Sequence, residues 1–224
     1  MESQLETYVK ILREISTETT AIDYTNIIAL CMELTKTYDE SHNVQHHIDV
    51  FRNAMMIVAD IEIKNPRMIK IITYSALLHD TIDNKYKENL EEKREILKKF
   101  LDAVVTIERE NIQWVIDNIS YSKEVRNGYP EHTDPIVQQV RDIVSDADKL
   151  EAIGNIGIER CKQYTMAFNS NLTEEELVAE VIKHCNEKLL RLREHFIRTK
   201  KGKELAAPLH QQIVEYCKSN SDYE

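Results

Sequence analysis

The feature that most constrains this chain is an apolar segment that ends abruptly in two ionisable side chains. His79 and Asp80 directly follow a run that contains Ile71, Ile72, Ala76, Leu77 and Leu78. Ionisable groups are rarely placed at the edge of a core unless something pairs with them. The segment therefore predicts a buried helix whose end carries an imidazole and a carboxylate, and we interpret the two side chains as ligands of a metal ion.

The chain has few residues that favour sharp turns, which points to long helices with short joints. Among its 224 residues are only 4 glycines and 4 prolines. Apolar residues recur at helical spacing. Helices are predicted at about residues 5–15, 23–37, 44–61, 66–79, 88–100, 107–119, from 136 onwards, at 172–199 and at 204–217. The sequence thus predicts an all-α protein, and a chain of this length is most simply one domain.

Local signals mark where some of these helices begin and end. Asn43 or Ser41 is expected to cap the third helix, and Thr173, with a glutamate three residues later, has the pattern of a capping box. Gly202 is expected to end the helix that begins there. The segment from residue 120 to residue 135 is the least helical, and we expect a long loop with a functional role.

The charge of the chain limits its partners. A net charge of -10 argues against binding to duplex nucleic acid, whereas a small anionic substrate is allowed if a cation and a few lysines form a positive pocket. The N-terminus is acidic and polar, unlike a signal peptide, and no apolar run approaches membrane-spanning length. A soluble, cytoplasmic protein with no membrane partner is expected, and a homodimer is left open. The 4 cysteines are expected to be thiols.

Candidate metal ligands lie at the polar ends of three apolar segments. Two imidazoles and two carboxylates suit a borderline divalent cation and leave positions open for water and a phosphate oxygen. Ligands from three distant segments would meet inside a helical bundle. Taken singly, His46 would more often be a hydrogen-bonded core histidine than a ligand, and the His-Asp pair could be a helix C-terminus. The four candidates are His46, His79, Asp80 and Asp148.

This order of residues resembles the HD-domain metal-dependent phosphohydrolase superfamily. Residues 41–46 look like the family's His-x-x-x-His start, and residues 79–85 are similar to the His-Asp-x-x-Asp-x-Lys block of a bacterial-type subfamily. Residues 146–154 read Asp-Ala-Asp-Lys-Leu-Glu-Ala-Ile-Gly and resemble that subfamily's Asp-Ala-Asp-Arg-Leu-Asp-Ala-Ile-Gly block. The resemblance runs from about residue 38 to residue 210. One departure is Asp49, where the subfamily commonly has Arg.

The resemblance implies the architecture and the functions of individual residues. It implies a single HD-type domain over residues 1–224, with a metal site at the centre of a helical bundle. The metal-binding core would span about residues 38–160, and C-terminal helices at 172–217 would pack on it. The implied metal ligands are His46, His79, Asp80 and Asp148, with Asp146 as an alternative that would contact a ligand and not the ion. The implied catalytic residues are Asp83 and Lys85. From their positive charge, Lys123 and Lys149 are expected to hold substrate phosphates, and His42 is a further predicted substrate contact.

The resemblance also implies a reaction. Our first choice is hydrolysis of a (deoxy)nucleoside triphosphate to the monophosphate and pyrophosphate, with a small phosphorylated nucleotide as the partner. The alternatives are a 5′-nucleotidase, another phosphomonoesterase or phosphodiesterase, and a catalytically silent nucleotide-binding regulator. One divalent metal ion is expected, Mn²⁺ as first choice and Co²⁺, Ni²⁺, Fe²⁺, Zn²⁺ or Mg²⁺ as alternatives. Two alternatives to a catalytic function stay open. Asp83 could instead cap the following helix, and Lys85 could be a solvated surface lysine.

Overall fold

The computed structural model describes residues 2–16, 22–38, 43–61, 65–83, 88–169 and 171–220. Within these ranges the chain is helical and contains no β-strand, which confirms the all-α prediction. Two short π-helical turns, Cys185–Leu189 and Leu192–Phe196, lie between the last two α-helices. The α-helices are α1 (Glu2–Ile15), α2 (Tyr24–Thr35), α3 (Val44–Val58), α4 (Pro66–Leu78), α5 (Leu90–Val104), α6 (Arg109–Asn118), α7 (Tyr121–Asn127), α8 (Pro135–Glu151), α9 (Gly154–Phe168), α10 (Glu174–His184) and α11 (Lys200–Ser219).

The chain forms two compact units, Met1–Ser145 and Asp146–Glu224, and the boundary falls within α8. The first unit contains α1 to α7 and most of α8. The second contains the end of α8 and α9 to α11. The expectation of a single domain over the whole chain stays a prediction.

Helix α4 is the central helix of the first unit. It packs against α2, α3 and α6, and ten of its 13 residues are buried. It begins where it does because the Asn65 side chain accepts a hydrogen bond from the Arg67 amide, and Pro66 occupies the first turn, where a missing N–H costs nothing. The apolar segment singled out in the sequence is therefore the core of this unit, and His79 stands at its end.

Helix α7 corrects the prediction of a long loop between residues 120 and 135. Its seven residues carry Glu124, whose carboxylate accepts a 2.6 Å hydrogen bond from the guanidinium of Arg141 on α8. Both side chains are buried, at 2% and 0% exposure, so each charge is compensated by the other. The helix ends at Gly128, whose φ of 84° lies in the left-handed region that glycine adopts without strain. Because α7 is short and is stabilised by an ion pair with a residue far along the chain, the local sequence does not predict it.

In the second unit, α9 packs against α10 and α11. The predicted capping box at Thr173 is confirmed, because both of its hydrogen bonds are present. The prediction that Gly202 ends a helix is wrong, since Gly202 lies in the first turn of α11, which Thr199 caps. Glycine is needed there for space: a Cβ atom would lie 2.6 Å from the Thr199 hydroxyl oxygen and 2.7 Å from a carboxylate oxygen of Asp146.

The remaining global predictions concern cysteines and membranes. The four cysteines are thiols, as expected, and burial raises the pKa of Cys31 well above its usual value. In the part of the chain that the structure describes, no helix combines the length and the apolar character needed to cross a bilayer.

Candidate metal centre

His79 continues the last turn of α4 and is held by the backbone of that helix. Its side chain is 1% exposed, and its Nδ1 atom lies 2.9 Å from the carbonyl oxygen of Ala76. A carbonyl oxygen only accepts hydrogen bonds, so Nδ1 is the nitrogen that carries the proton. In the neutral ring the Nε2 atom then keeps its lone pair. This is the tautomer that a metal-binding histidine needs, with the second nitrogen held by a hydrogen-bond acceptor.

His46 approaches this lone pair from α3. The Asn43 side chain caps α3 by accepting hydrogen bonds from the amides of Gln45 and His46, at 2.9 and 3.3 Å. The expectation that Asn43 or Ser41 caps this helix is thereby confirmed for Asn43. His46 thus lies in the first helical turn, with its ring buried, and its Nε2 atom is 3.2 Å from Nε2 of His79. Two helix ends bring two imidazole nitrogens to one point.

Asp80 adds a carboxylate to the same place. One of its oxygens lies 3.6 Å from Nε2 of His79, and its side chain is 38% exposed. Two imidazole nitrogens with a carboxylate oxygen beside one of them are donors of the kind that a divalent transition-metal ion binds. The partial exposure of the Asp80 side chain leaves these donors open to solvent on that side.

His47 packs against the candidate ligands, although the sequence analysis did not identify it as a site residue. Its ring is fully buried, and its centroid lies 5.6 Å from that of His46 and 5.0 Å from that of His79. Only its adjacency to His46 could have drawn attention to it. It packs against both candidate ligands and restricts the orientations that their rings can adopt.

Asp83 lies in the segment that follows α4 and is half-buried. Its backbone amide donates a 3.3 Å hydrogen bond to the hydroxyl of Tyr38, and that hydroxyl donates a 2.9 Å bond to the carbonyl of Thr81. Lys85 and His42, which were predicted to contact substrate, lie outside the described residues.

The two other lysines predicted to bind substrate have very different surroundings. Lys123 is exposed on α7, and its ammonium donates a 2.8 Å hydrogen bond to the carbonyl of Asp117. Lys149 is buried near the end of α8, close enough to Asp146 to lower the pKa of that carboxyl group. Both remain predictions as substrate contacts.

Asp146 anchors the start of α11 in the second unit. Its carboxylate accepts hydrogen bonds from the Arg198 amide at 2.8 Å and from both the amide and the hydroxyl of Thr199 at 2.7 Å. Burial nevertheless raises its pKa to about 6. Asp148 is half-buried two residues further along α8. It stays a predicted ligand.

The departure at Asp49 has a local explanation. Its carboxylate accepts hydrogen bonds from the side-chain Nε2 of Gln45, at 3.0 and 3.1 Å, and forms an ion pair with Arg52 one turn later. The negative charge at position 49 is thus compensated on the surface of α3 itself.

Two similar proteins come from a virus and a bacterium. No family model matches the chain. An uncharacterized protein, L803, of Acanthamoeba polyphaga mimivirus is 30% identical over 161 residues, which cover 66% of this chain and 63% of L803. The match therefore spans less than two thirds of that protein. The uncharacterized Bacillus subtilis protein YpgQ is 28% identical over 184 residues, which cover 81% of this chain and 84% of YpgQ.

Solved structures share the fold over most of the chain. A Lactobacillus plantarum protein matches this chain with a TM-score of 0.68 at 25% identity. The match covers 88% of this chain and 94% of the Lactobacillus plantarum chain. YpgQ crystallised with ADP has a TM-score of 0.61 at 22% identity, covering 88% and 96%. An HD-superfamily hydrolase from Bacillus thuringiensis has a TM-score of 0.61 at 21% identity, covering 88% and 94%.

Proposed function

Because this chain has the fold of the HD-superfamily hydrolases, we propose that it is a metal-dependent phosphohydrolase that acts on a small nucleotide. One observation carries the proposal: the Nε2 atoms of His46 and His79 face each other at 3.2 Å in a buried place, and the ring of His79 is held in the metal-binding tautomer. Asp80 supplies a carboxylate beside them. A hydrogen bond between the two Nε2 atoms would account for their distance and for the tautomer of His79, but it would not need the carboxylate beside them.

The proposed ligand set is His46, His79, Asp80 and Asp148. The first three belong to the first unit, where Nε2 of His79 lies 3.2 Å from Nε2 of His46 and 3.6 Å from a carboxylate oxygen of Asp80. Asp148 is included because of its place in the Asp-Ala-Asp segment. Two neutral imidazoles and two carboxylates fit Mn²⁺ and its neighbours in the transition series, and Mn²⁺ is the proposed ion. When bound, such an ion supplies Lewis-acid chemistry, because it withdraws charge from a phosphoryl oxygen and acidifies water.

The residues next to the ligands would handle protons and charge. Asp83 lies three residues beyond the His-Asp pair, and we assign it the orientation or deprotonation of the attacking water. Lys85, Lys123 and Lys149 are the proposed point charges for phosphate oxygens, with His42 as a further contact. Asp146 would support Asp148 by holding the end of α8 to the start of α11.

A nucleotide is the proposed substrate because the related protein YpgQ was crystallised with ADP. The net charge of -10 would repel a nucleotide from most of the surface, so the cation and the nearby lysines must provide the local attraction. The proposed reaction is release of pyrophosphate from a (deoxy)nucleoside triphosphate.

A product analysis would test this function. The protein, purified without a metal-affinity tag, is incubated with Mn²⁺ and with each common nucleoside mono-, di- and triphosphate, and the products are separated by anion-exchange chromatography. We expect a nucleoside monophosphate and pyrophosphate. Nucleoside and phosphate from a monophosphate would instead identify the 5′-nucleotidase alternative.

Variants separate the activity of this chain from that of a contaminant. Asp80→Asn should abolish turnover, whereas His195→Ala, which removes an exposed histidine, should leave it unchanged. Absence of turnover with every nucleotide, or equal turnover in Asp80→Asn and the unmodified protein, would refute the proposed function.

A further inference from the structure

Tyr38 connects the end of α2 to the segment that follows the candidate ligands. Its hydroxyl group accepts the amide N–H of Asp83 at 3.3 Å and donates to the carbonyl of Thr81 at 2.9 Å. Tyr38 and Asp83 are 45 residues apart, so these bonds are a tertiary contact. The hydroxyl group therefore joins two backbone groups on either side of Ile82, directly after the His-Asp pair.

The aromatic ring of Tyr38 is itself held in place by a buried cation. The ammonium of Lys93 on α5 lies 4.3 Å from the ring centroid, and Lys93 is only 8% exposed. Within the described ranges this ammonium has no hydrogen-bond partner, and burial lowers its pKa. A desolvated cation is attracted strongly to the face of an aromatic ring. Lys93 thus restrains the plane of the ring and, with it, the position of the hydroxyl oxygen.

We infer that Tyr38 is a positioning residue for Asp83, with Lys93 as the group that holds the phenol ring. The inference rests on the proposed function, in which Asp83 orients or deprotonates the attacking water. The segment has a hydrogen bond from the Thr81 hydroxyl to the Leu78 carbonyl at 2.8 Å, which fixes its beginning. Tyr38 then holds the Thr81 carbonyl and the Asp83 amide. A carboxylate that must meet a water molecule needs such a support, because small displacements of a catalytic group cost much of the rate.

Tyr38→Phe tests the inference because it removes both hydrogen bonds and keeps the ring over which Lys93 lies. We expect kcat to fall by about tenfold to a hundredfold. KM for the nucleotide and the affinity for Mn²⁺ should stay within about twofold, since the substitution removes no ligand and no phosphate contact. A loss that appeared mainly in Mn²⁺ affinity, or in the unfolding temperature, would show a structural contribution and overturn the inference.

Tyr129→Phe is a matched control. The Tyr129 hydroxyl donates to the Asp142 carboxylate at 2.8 Å and accepts from the side-chain Nε2 of Gln138 at 2.6 Å, and the guanidinium of Arg141 lies 5.1 Å from its ring centroid. Like Tyr38→Phe, the variant Tyr129→Phe loses one donated and one accepted hydrogen bond and keeps a ring that lies next to a cation. The hydrogen-bond partners that it loses have no proposed part in the reaction. We expect unchanged kcat, and an equal loss in both variants would overturn the inference.

A double-mutant cycle shows whether Tyr38 acts through Asp83. If it does, Tyr38→Phe should change the rate of Asp83→Asn by less than about twofold, because the group that it positions is already disabled. A further loss as large as that in the unmodified protein would mean that Tyr38 acts elsewhere, and would overturn the inference.

Amide hydrogen exchange provides a measurement that needs no activity. In the peptide that covers residues 79–83, Tyr38→Phe should raise the exchange rate of the Asp83 amide by about tenfold, and Tyr129→Phe should not. If the unmodified protein hydrolyses no nucleotide, the proposed function fails and the exchange experiment alone decides whether Tyr38 holds Asp83. Unchanged exchange in Tyr38→Phe would overturn the inference in either case.

Discussion

Replacing Asp146 with Asn should change how the stability of the protein depends on pH. Burial raises the pKa of this carboxyl group from 3.8 to about 6, although three hydrogen bonds and the nearby Lys149 act in the opposite direction. At 1.36 kcal/mol for each pH unit, the difference corresponds to about 3 kcal/mol. Asp146 is fully buried, so solvent screens little of this energy.

The sign follows from proton binding. Between about pH 4 and pH 6 the folded protein keeps a proton on Asp146 that the unfolded chain has released. The contribution of this group to stability is therefore fully present below about pH 4 and is lost as the pH rises through about 6. Asn does not titrate. The free energy of unfolding of Asp146→Asn, relative to that of the unmodified protein, should thus rise by about 3 kcal/mol from pH 4 to pH 7.

Urea unfolding at several pH values in the presence of EDTA measures this difference with metal ions excluded. Thr199→Val is a companion variant, because it removes a hydroxyl group that donates to Asp146 at 2.7 Å and lowers its pKa. In this variant the loss of stability should extend to higher pH than in the unmodified protein. A difference between Asp146→Asn and the unmodified protein that stays constant from pH 4 to pH 7 would refute the reasoning.

Three further predictions concern single sites. Arg141→Met should destabilise the protein by about 3–5 kcal/mol in urea unfolding, because the Glu124 carboxylate stays buried without its partner, and adding Glu124→Leu should restore most of the loss. Gly202→Ala should cost about 1–3 kcal/mol, since a Cβ atom would lie 2.7 Å from Asp146, and unchanged stability would contradict the close approach. Mn²⁺ at about a hundred times its Kd should stabilise the protein by about 2.7 kcal/mol and His79→Ala should abolish this gain; equal melting temperatures with EDTA and Mn²⁺ would contradict a metal site.

The parts of the fold that local chemistry determines were predictable from the sequence. The cap at Asn43 and the capping box at Thr173 involve residues within three positions of each other, and both are present. Helix α7 and the position of Gly202 were predicted wrongly. Each depends on a distant partner: α7 on the ion pair with Arg141, and the turn at Gly202 on the carboxylate of Asp146. Spacing along the chain carries no information about such partners.

The candidate site divides in the same way. The order of histidines and aspartates, with the family resemblance, indicated His46, His79 and Asp80, and these three lie together. The resemblance to the HD superfamily is confirmed at the level of the fold. Tyr38 had no signal of its own, because a single tyrosine in a polar segment reveals neither the cation behind its ring nor the amide that it accepts.

The hydrogen bond between His79 and the carbonyl of Ala76 has a consequence for how such a site can vary. The acceptor that determines the proton position on the ring is a backbone atom, so any residue that keeps α4 helical at position 76 supplies it. Natural variation at that position would leave the imidazole chemistry unchanged. A comparison of sequences would therefore detect the two side chains of the His-Asp pair. It would not detect the backbone carbonyl that fixes the tautomer of His79, because that group depends only on the helical backbone of α4.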